Sequence, residues 1–541
     1  MRGSGRVLVA AIALAMVAAA CSSDSGGGGN NSGATQTGGT YSYVNAEPDH
    51  LIPQNNYGAA GTQVHQALFT RLVDFDPTTL KPVPAQADSI DVSDDGLTYT
   101  IAIKPGWTFH NGEPVTAQSY VDAWNYAAYG PHGYILNFFF EAIEGYDALN
   151  PSQGNPTTTK MSGLKVQDET TFTVQLTQPN SQFEYQLGFD AFDPLPKAFY
   201  DDPKAYDEQP IGDGPYMMDG KWQHDETINL QRYPDYAGTP GFADKIELPI
   251  YQGDAAWTDF QAGNVDITFV GSDHLGEARQ QYPDAVSEEA SSTLLYLFIP
   301  MYDKRFQSKE LRQALSLAVD RQAVMTAVLV AENPADDFTT PVVSGYRQGV
   351  CQYCVYNPDL AKQKLEQAGG WQGEMTLNFY TDTTLEQAME AVAQQWHDNL
   401  GIDVKLNPIN PNSYSDFEYG QKMTGPWWDG WVEDYPSLED YLRPIFGTGG
   451  GFNLGEYSNK EFDDLIDQGN AAGSIDEALP FYQQADDIIL EDMPAIPWGY
   501  LGFNTVHSEN VTNVLKVPGL DELDLTKVQV VGGGGASASA S

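Results

Sequence analysis

One apolar stretch in this chain stands out from all the rest, and it comes first. Residues 7–20 are uncharged and apolar, follow Arg2 and Arg6, and stop at Cys21. The run falls short of the roughly 20 residues that span a bilayer. Its layout, a positive start followed by an apolar centre and small residues, is that of an export signal. No later stretch is long and apolar enough to form a transmembrane helix, so the rest is expected to fold in water outside the cytoplasm. Residues 22–39 are almost wholly Ser, Gly, Asn, Thr and Gln, a tether with an r.m.s. reach of about 25 Å. The tail, 532–541, is again low-complexity and is expected to be disordered. What remains between them is too long for one core and predicts two or three lobes.

The run Ala18-Ala19-Ala20-Cys21 resembles the lipobox of bacterial lipoproteins, with Ala18 where an aliphatic residue is preferred. The resemblance implies lipidation of Cys21 and anchoring to the outer face of the cell membrane. The alternative is ordinary secretion with cleavage at an A-x-A site. The two remaining cysteines form the run Cys351-Gln352-Tyr353-Cys354. A C-x-x-C serves as a redox pair, half a zinc site or a small structural disulfide. No histidine lies within about forty residues of it and no other cysteine is at hand, which argues against zinc. An oxidising compartment favours the disulfide.

Charge narrows the partners. With 27 Lys+Arg against 74 Asp+Glu the net charge is −47. Such a surface repels phosphate backbones, so nucleic acid is excluded as a natural partner, while a cationic or zwitterionic ligand is attracted. A heavily solvated surface explains the same charge without any ligand.

Strand and helix signals are intermixed, which makes the class α/β. Asp95-Gly96 reads as a turn before a strand over 97–103, and Thr116 as the N-cap of a helix running through Trp124. Strands are expected at 164–166 and 171–176. Between 210 and 270 the pattern is turn, strand, turn, strand, helix, strand. Residues 311–330 read as the clearest helix, capped by Ser308. Further helices are expected at 359–368, 384–400 (stopped by Gly401) and 459–468.

Chemistry is mostly missing. The Asp91–Gly96 run looks like a calcium loop, but its twelfth position is Ala102, where a bidentate glutamate is needed. The glycines of 211–216 are not followed by the Gly-Lys-Ser/Thr of a phosphate loop, and neither H-E-x-x-H nor G-x-S-x-G occurs. No catalytic residue, metal or cofactor is implied. One stretch is unusual: Trp427, Trp428 and Trp431 crowd into five positions beside Asp429, Glu433 and Asp434. It reads equally as a packed strand with a polar end and as an aromatic-walled cleft carrying a carboxylate for an ammonium ligand.

The order of these features resembles the peptide/nickel family of ABC-transporter solute-binding proteins, of the oligopeptide- and dipeptide-binding type, over residues 41–531. The residues that carry it are Asn45-Ala46-Glu47-Pro48, the stretch from Asp95 to Ala117 with Pro105-Gly106-Trp107-Thr108-Phe109, Gly214-Pro215-Tyr216, Leu311 to Arg321, Asn357 to Lys362 and Tyr457 to Asp463. The resemblance implies a three-lobed fold in which two lobes joined by a hinge grip the ligand: lobe I from 40–66, 187–288 and 500–531, an extra lobe from 67–186, and lobe III from 289–499. Trp431-Val432-Glu433-Asp434-Tyr435 is similar to the W-x-x-D segment of peptide-binding members. That similarity puts Asp434 on the peptide α-ammonium and the main chain of Gly430, Trp431 and Val432 on the peptide backbone. Enteric members carry a cysteine where this chain has Val432. Partners implied are an oligopeptide and the permease subunits of an importer, with the protein a monomer. Alternatives are a same-fold receptor for an oligosaccharide, stacking on Trp427, Trp428 and Trp431, a secreted hydrolase using paired carboxylates, and a purely structural surface protein.

Overall fold

The computed structural model describes residues 37–532 apart from 57, 254 and 329–332. The signal segment 1–20, Cys21, most of the tether and the tail beyond 532 therefore lie outside the described residues. Among those described, no helix is long and apolar enough to cross a membrane. Helices and strands alternate along the chain and build an α/β, multi-lobed fold with separate hydrophobic cores.

The first core forms over a four-stranded antiparallel sheet ordered Ala87–Val92, Thr98–Ile103, Thr171–Gln175, Leu164–Val166. Its hairpin turn is local chemistry: the Asp95 carboxylate accepts from Ser93 Oγ (2.6 Å) and Leu97 N (3.1 Å), and Gly96 takes φ 70°. Thr116 and Ser119 cap the helix Ala117–Ala128 reciprocally. That helix lays Tyr120 and Trp124 on Phe172, with ring centroids 5.6 and 5.4 Å apart.

A second four-stranded sheet runs Thr40–Ser42, Lys245–Pro249, Thr227–Arg232, Tyr216–Met218. It contains one more strand ahead of the helix Ala255–Gln261 than the sequence pattern predicts. Gly214 does more than turn the chain. A Cβ there would lie 2.6 Å from the Leu68 carbonyl carbon, so only glycine lets this loop press on the end of the helix Ala59–Leu68.

The third sheet is the largest, with seven strands in the order Ile267–Phe269, Ala495–His507, Val286–Phe298, Trp427–Trp431, Met375–Tyr380, Val404–Ile409, and with Asn333–Pro334 also on Ala495–His507. Two strands of 13 residues each, Val286–Phe298 and Ala495–His507, pair along both halves with the register broken between Ala290 and Leu294. The helix expected over 311–330 is two helices, Lys309–Leu317 and Arg321–Val328. Tertiary donors take the carbonyls at the break: Asn357 N reaches Leu317 O at 2.9 Å and Asn399 Nδ2 reaches Ala318 O at 2.9 Å.

Candidate functional site

The tryptophan-rich run is the strand Trp427–Trp431, antiparallel to Val286–Phe298 with Trp431 opposite Leu294 and Trp427 opposite Phe298. On its other flank the pairing is with Asn378 at Trp427. Past that point the flank faces a cavity of about 260 Å³, lined by Asp429, Gly430, Trp431, Val432, Glu433 and Asp434. The rest of the wall comes from distant parts of the chain, among them Ala59 and Thr62, Leu136, Phe189, Tyr296, Glu418 and Tyr419, Phe452, and Leu520 to Glu522. The cavity therefore lies where several elements converge, as small-solute sites commonly do.

Two anchors hold the segment after the strand. Asp440 Oδ2, on the helix Leu438–Phe446, accepts both the Trp431 indole N–H (3.1 Å) and the Asp434 backbone N–H (2.9 Å). Further on, Ser437 Oγ donates to Gln182 Oε1 at 2.6 Å and Tyr435 joins the core that contains Phe189 and Phe192. Trp431 packs edge-on against Phe452 at 5.0 Å. These contacts fix the indole as a wall and aim the Asp434 side chain into the cavity.

The electrostatics are one-sided. Arg71 spends its guanidinium on Glu522 (3.0 and 3.1 Å) and Asp190 (3.4 Å), and His65 Nδ1 lies 2.7 Å from Asp190. Lys516 pairs with Asp521 at 2.7 Å. Those cations are used up, and the lining residues include no lysine or arginine. Burial first, and the Asp190 charge second, push the Asp434 carboxyl well above its ordinary range. Glu433 is pushed the same way, by burial and then by Asp521. Asp521 and Glu522 thus have internal cations, whereas Asp429, Glu433 and Asp434 stand in a wall that contains no lysine or arginine, a setting chemically suited to a cation.

The structure brings Gly430, Trp431, Val432 and Asp434 together around this cavity. It separates the tryptophans: Trp427 and Trp428 are buried, on Phe298 (5.1 Å) and Trp498 (5.7 Å), and only Trp431 of the three faces the cavity. A three-indole stacking platform is thereby removed. Cys351 and Cys354 are bonded, with Cα atoms 5.4 Å apart, in a loop whose Tyr353 carbonyl accepts Ser316 Oγ at 2.7 Å. They are absent from the cavity wall. Sequence reasoning missed Glu418, Tyr296, Asp521 and Glu522, whose approach depends on tertiary packing and leaves no local signal.

Lobes of mixed helix and sheet around a partly open, acid-lined cavity define a solute-binding protein. The profile of the bacterial extracellular solute-binding proteins, family 5 Middle, matches residues 81–453, and the chain belongs to that family. It is 28% identical to the dipeptide-binding protein DppE of Bacillus subtilis (strain 168), with 80% of each chain covered. It is 25% identical to the oligopeptide-binding protein OppA of the same organism, over 82% of this chain and 84% of that one. Among solved structures, the Escherichia coli murein tripeptide binding protein MppA superposes with a TM-score of 0.79 at 22% identity, covering 92% of this chain and 99% of the other. The unliganded open form of MppA gives 0.70 at 23% identity, over 92% and 98%.

Proposed function

We propose that this protein is the extracytoplasmic receptor of an ABC importer, capturing oligopeptides by their free α-amino end and handing them to the permease. The observation that carries the reading is Asp434: a carboxylate lining the cavity, with no lysine or arginine in the wall, at the end of a strand whose flank is open to the ligand. An extended peptide added along Gly430, Trp431 and Val432 would bond through main-chain groups common to all peptides, leaving side chains free to vary. The relatives named for dipeptides and oligopeptides support the same class of solute. Recognition of this kind needs no covalent chemistry.

The lobes we assign are 40–66 with 187–288 and 500–531, 67–186, and 289–499, the first and last closing on the solute. Only the strands Val286–Phe298 and Ala495–His507 run unbroken through the boundaries near 288 and 499, and the register break beside Ala290 suits a hinge there. Cys21, lipidated, would hold the monomer on the outer face of the membrane.

Calorimetry with mixed di- to pentapeptides tests the reading. Free-amine peptides should bind, and N-acetylation or Asp434→Asn should weaken them by about 2–5 kcal/mol, the usual cost of stranding one partner of a buried ion pair. Equal binding of acetylated and free peptides would remove Asp434 from the role.

A further inference from the structure

The cavity has two acidic ends, and Asp434 accounts for one. Asp429, five residues earlier, faces the same space, and Glu418 reaches it from the end of the helix Pro411–Glu418. Tyr414, on that helix, donates its hydroxyl to the Trp428 carbonyl at 2.6 Å and so holds the helix against the strand. Glu418 is only 8% exposed, and its Oε1 is buried without a hydrogen-bond partner among the described residues. Leaving such an atom unsatisfied costs about 1–3 kcal/mol, and more when it is charged. The Asp429 Oδ1 accepts the N–H of its own neighbour Gly430 at 2.8 Å. No arginine or lysine of the wall offers compensation. Burial, and for Glu418 next the charge of Asp429, raises the two carboxyls to about 9 and about 7, with the Trp427 indole beside Glu418 and the Gly430 N–H on Asp429 opposing it only in part, so the pair holds at least one proton near neutrality. The rings of Tyr296 and Tyr419 border the same end, and aromatic faces accept the stem and head of a long cationic side chain.

We propose that Glu418 and Asp429 form a second cation subsite, which takes the lysine or arginine side chain of a peptide whose α-ammonium sits on Asp434. The preferred solutes are then basic peptides. The inference deepens the peptide reading above and rests on it. Five extended residues reach no farther than about 18 Å, so the basic side chain belongs to one of the ligand's first few residues. Its arrival favours the ionised carboxyls and expels a proton to solvent. The net charge of −47 adds long-range attraction for such ligands.

The experiment is calorimetry on the purified full chain. The probes are alanine tetrapeptides carrying lysine at each position in turn, the matching norleucine peptides, and the all-alanine peptide. At one position lysine should bind about 10-fold or more tighter than norleucine, which has the same stem without the charge. In the double variant Glu418→Gln/Asp429→Asn that ratio should fall to within about twofold, with the all-alanine peptide unaffected. In buffers of different ionisation enthalpy near pH 7, the preferred lysine peptide should release more protons from the unsubstituted protein than its norleucine partner does. That readout stands even where the variant fails to fold. Binding of all-alanine peptide with no lysine preference at any position overturns the subsite and leaves the peptide reading intact. So does a preference that survives the double substitution, or equal proton release. If no peptide binds the unsubstituted protein, the peptide reading falls and the subsite falls with it.

Discussion

At the scale of single residues, buried charge in this protein falls into two groups. In one, the acids have their partners within the fold. Arg71 is nearly buried and holds Glu522 and Asp190 together, with His65 on the far side of Asp190. Burial first, with the Asp190 charge adding to it, drives Glu522 up, Arg71 opposes it, and the carboxyl settles at about 7. Replacing Arg71 by Met keeps the stem and removes the charge, leaving two buried carboxyls without their cation. The expected loss is about 3–5 kcal/mol in urea unfolding, and adding Glu522→Gln should return part of it. A loss under about 1 kcal/mol would mean that the cluster is not acting as a unit. In the other group, Asp434, Glu418 and Asp429 have no cation supplied by the wall of the cavity. The place of Asp434 beside Trp431 in the cavity wall follows from a contiguous run, because the indole and the backbone that Asp440 fixes lie three residues apart; its role toward a ligand is implied by the W-x-x-D resemblance alone. Glu418 was not legible. Its neighbourhood with Asp429 depends on a helix returning to the strand through the Tyr414–Trp428 contact, and a chain with 74 acids gives no reason to single it out.

At the scale of elements, what was readable is what short-range chemistry decides. Thr116, Ser308, Asn357 and Asn459 cap the helices they precede, and Gly401 stops the helix Thr383–Leu400 at φ 68°. Each of these needs only neighbours in the chain. The break between Lys309–Leu317 and Arg321–Val328 is of another kind. The apolar periodicity runs straight across it, and the groups that end the first helix, Asn357 and Asn399, are remote in sequence. One part of the break is local: the Asp320 carboxylate accepts the Ala323 N–H at 3.0 Å and so starts the second helix. Asp320→Ala should therefore cost about 1 kcal/mol, read as a lower urea midpoint at unchanged m-value. No change would indicate that the remote contacts alone set the break. The buried Arg321 reinforces it, donating to Pro497 O at 2.7 Å and Cys354 O at 2.9 Å, so the disulfide loop and the sheet meet at the same point.

At the scale of the whole molecule, the number of buried acids sets how stability responds to pH. Asp213, which accepts Gln86 Nε2 at 2.6 Å and Thr70 N at 3.0 Å, is raised by burial to about 7. Asp337 and Asp486 form another buried pair, raised by desolvation, and Glu418, Asp429 and Glu522 move the same way. Unfolded, such groups release their protons near pH 4. Between there and their folded values the native state binds more protons than the unfolded one, so each group's contribution is full at low pH and is lost as pH rises. His50, raised by its bond to Asp207, acts in the same sense above its ordinary pKa. The net charge of −47 adds self-repulsion that relaxes as carboxylates protonate. Opposing them are buried His110, lowered by desolvation to about 4 and so losing its contribution as pH falls below its ordinary 6.5, and exposed acids held low by local hydrogen bonds, Asp76 and Asp168 among them, whose contribution disappears only below about pH 4; His110 is one group against the many raised carboxyls. The solute-free protein should therefore have a higher urea midpoint at about pH 5 than at about pH 8.5, the reverse of the fall toward acid usual for proteins whose acids are paired. A saturating basic peptide should narrow the gap, because its cations favour the ionised carboxyls and it binds the native state best at the higher pH. A midpoint that is flat or rises with pH in the solute-free protein would mean that these carboxyls are ionised in the fold.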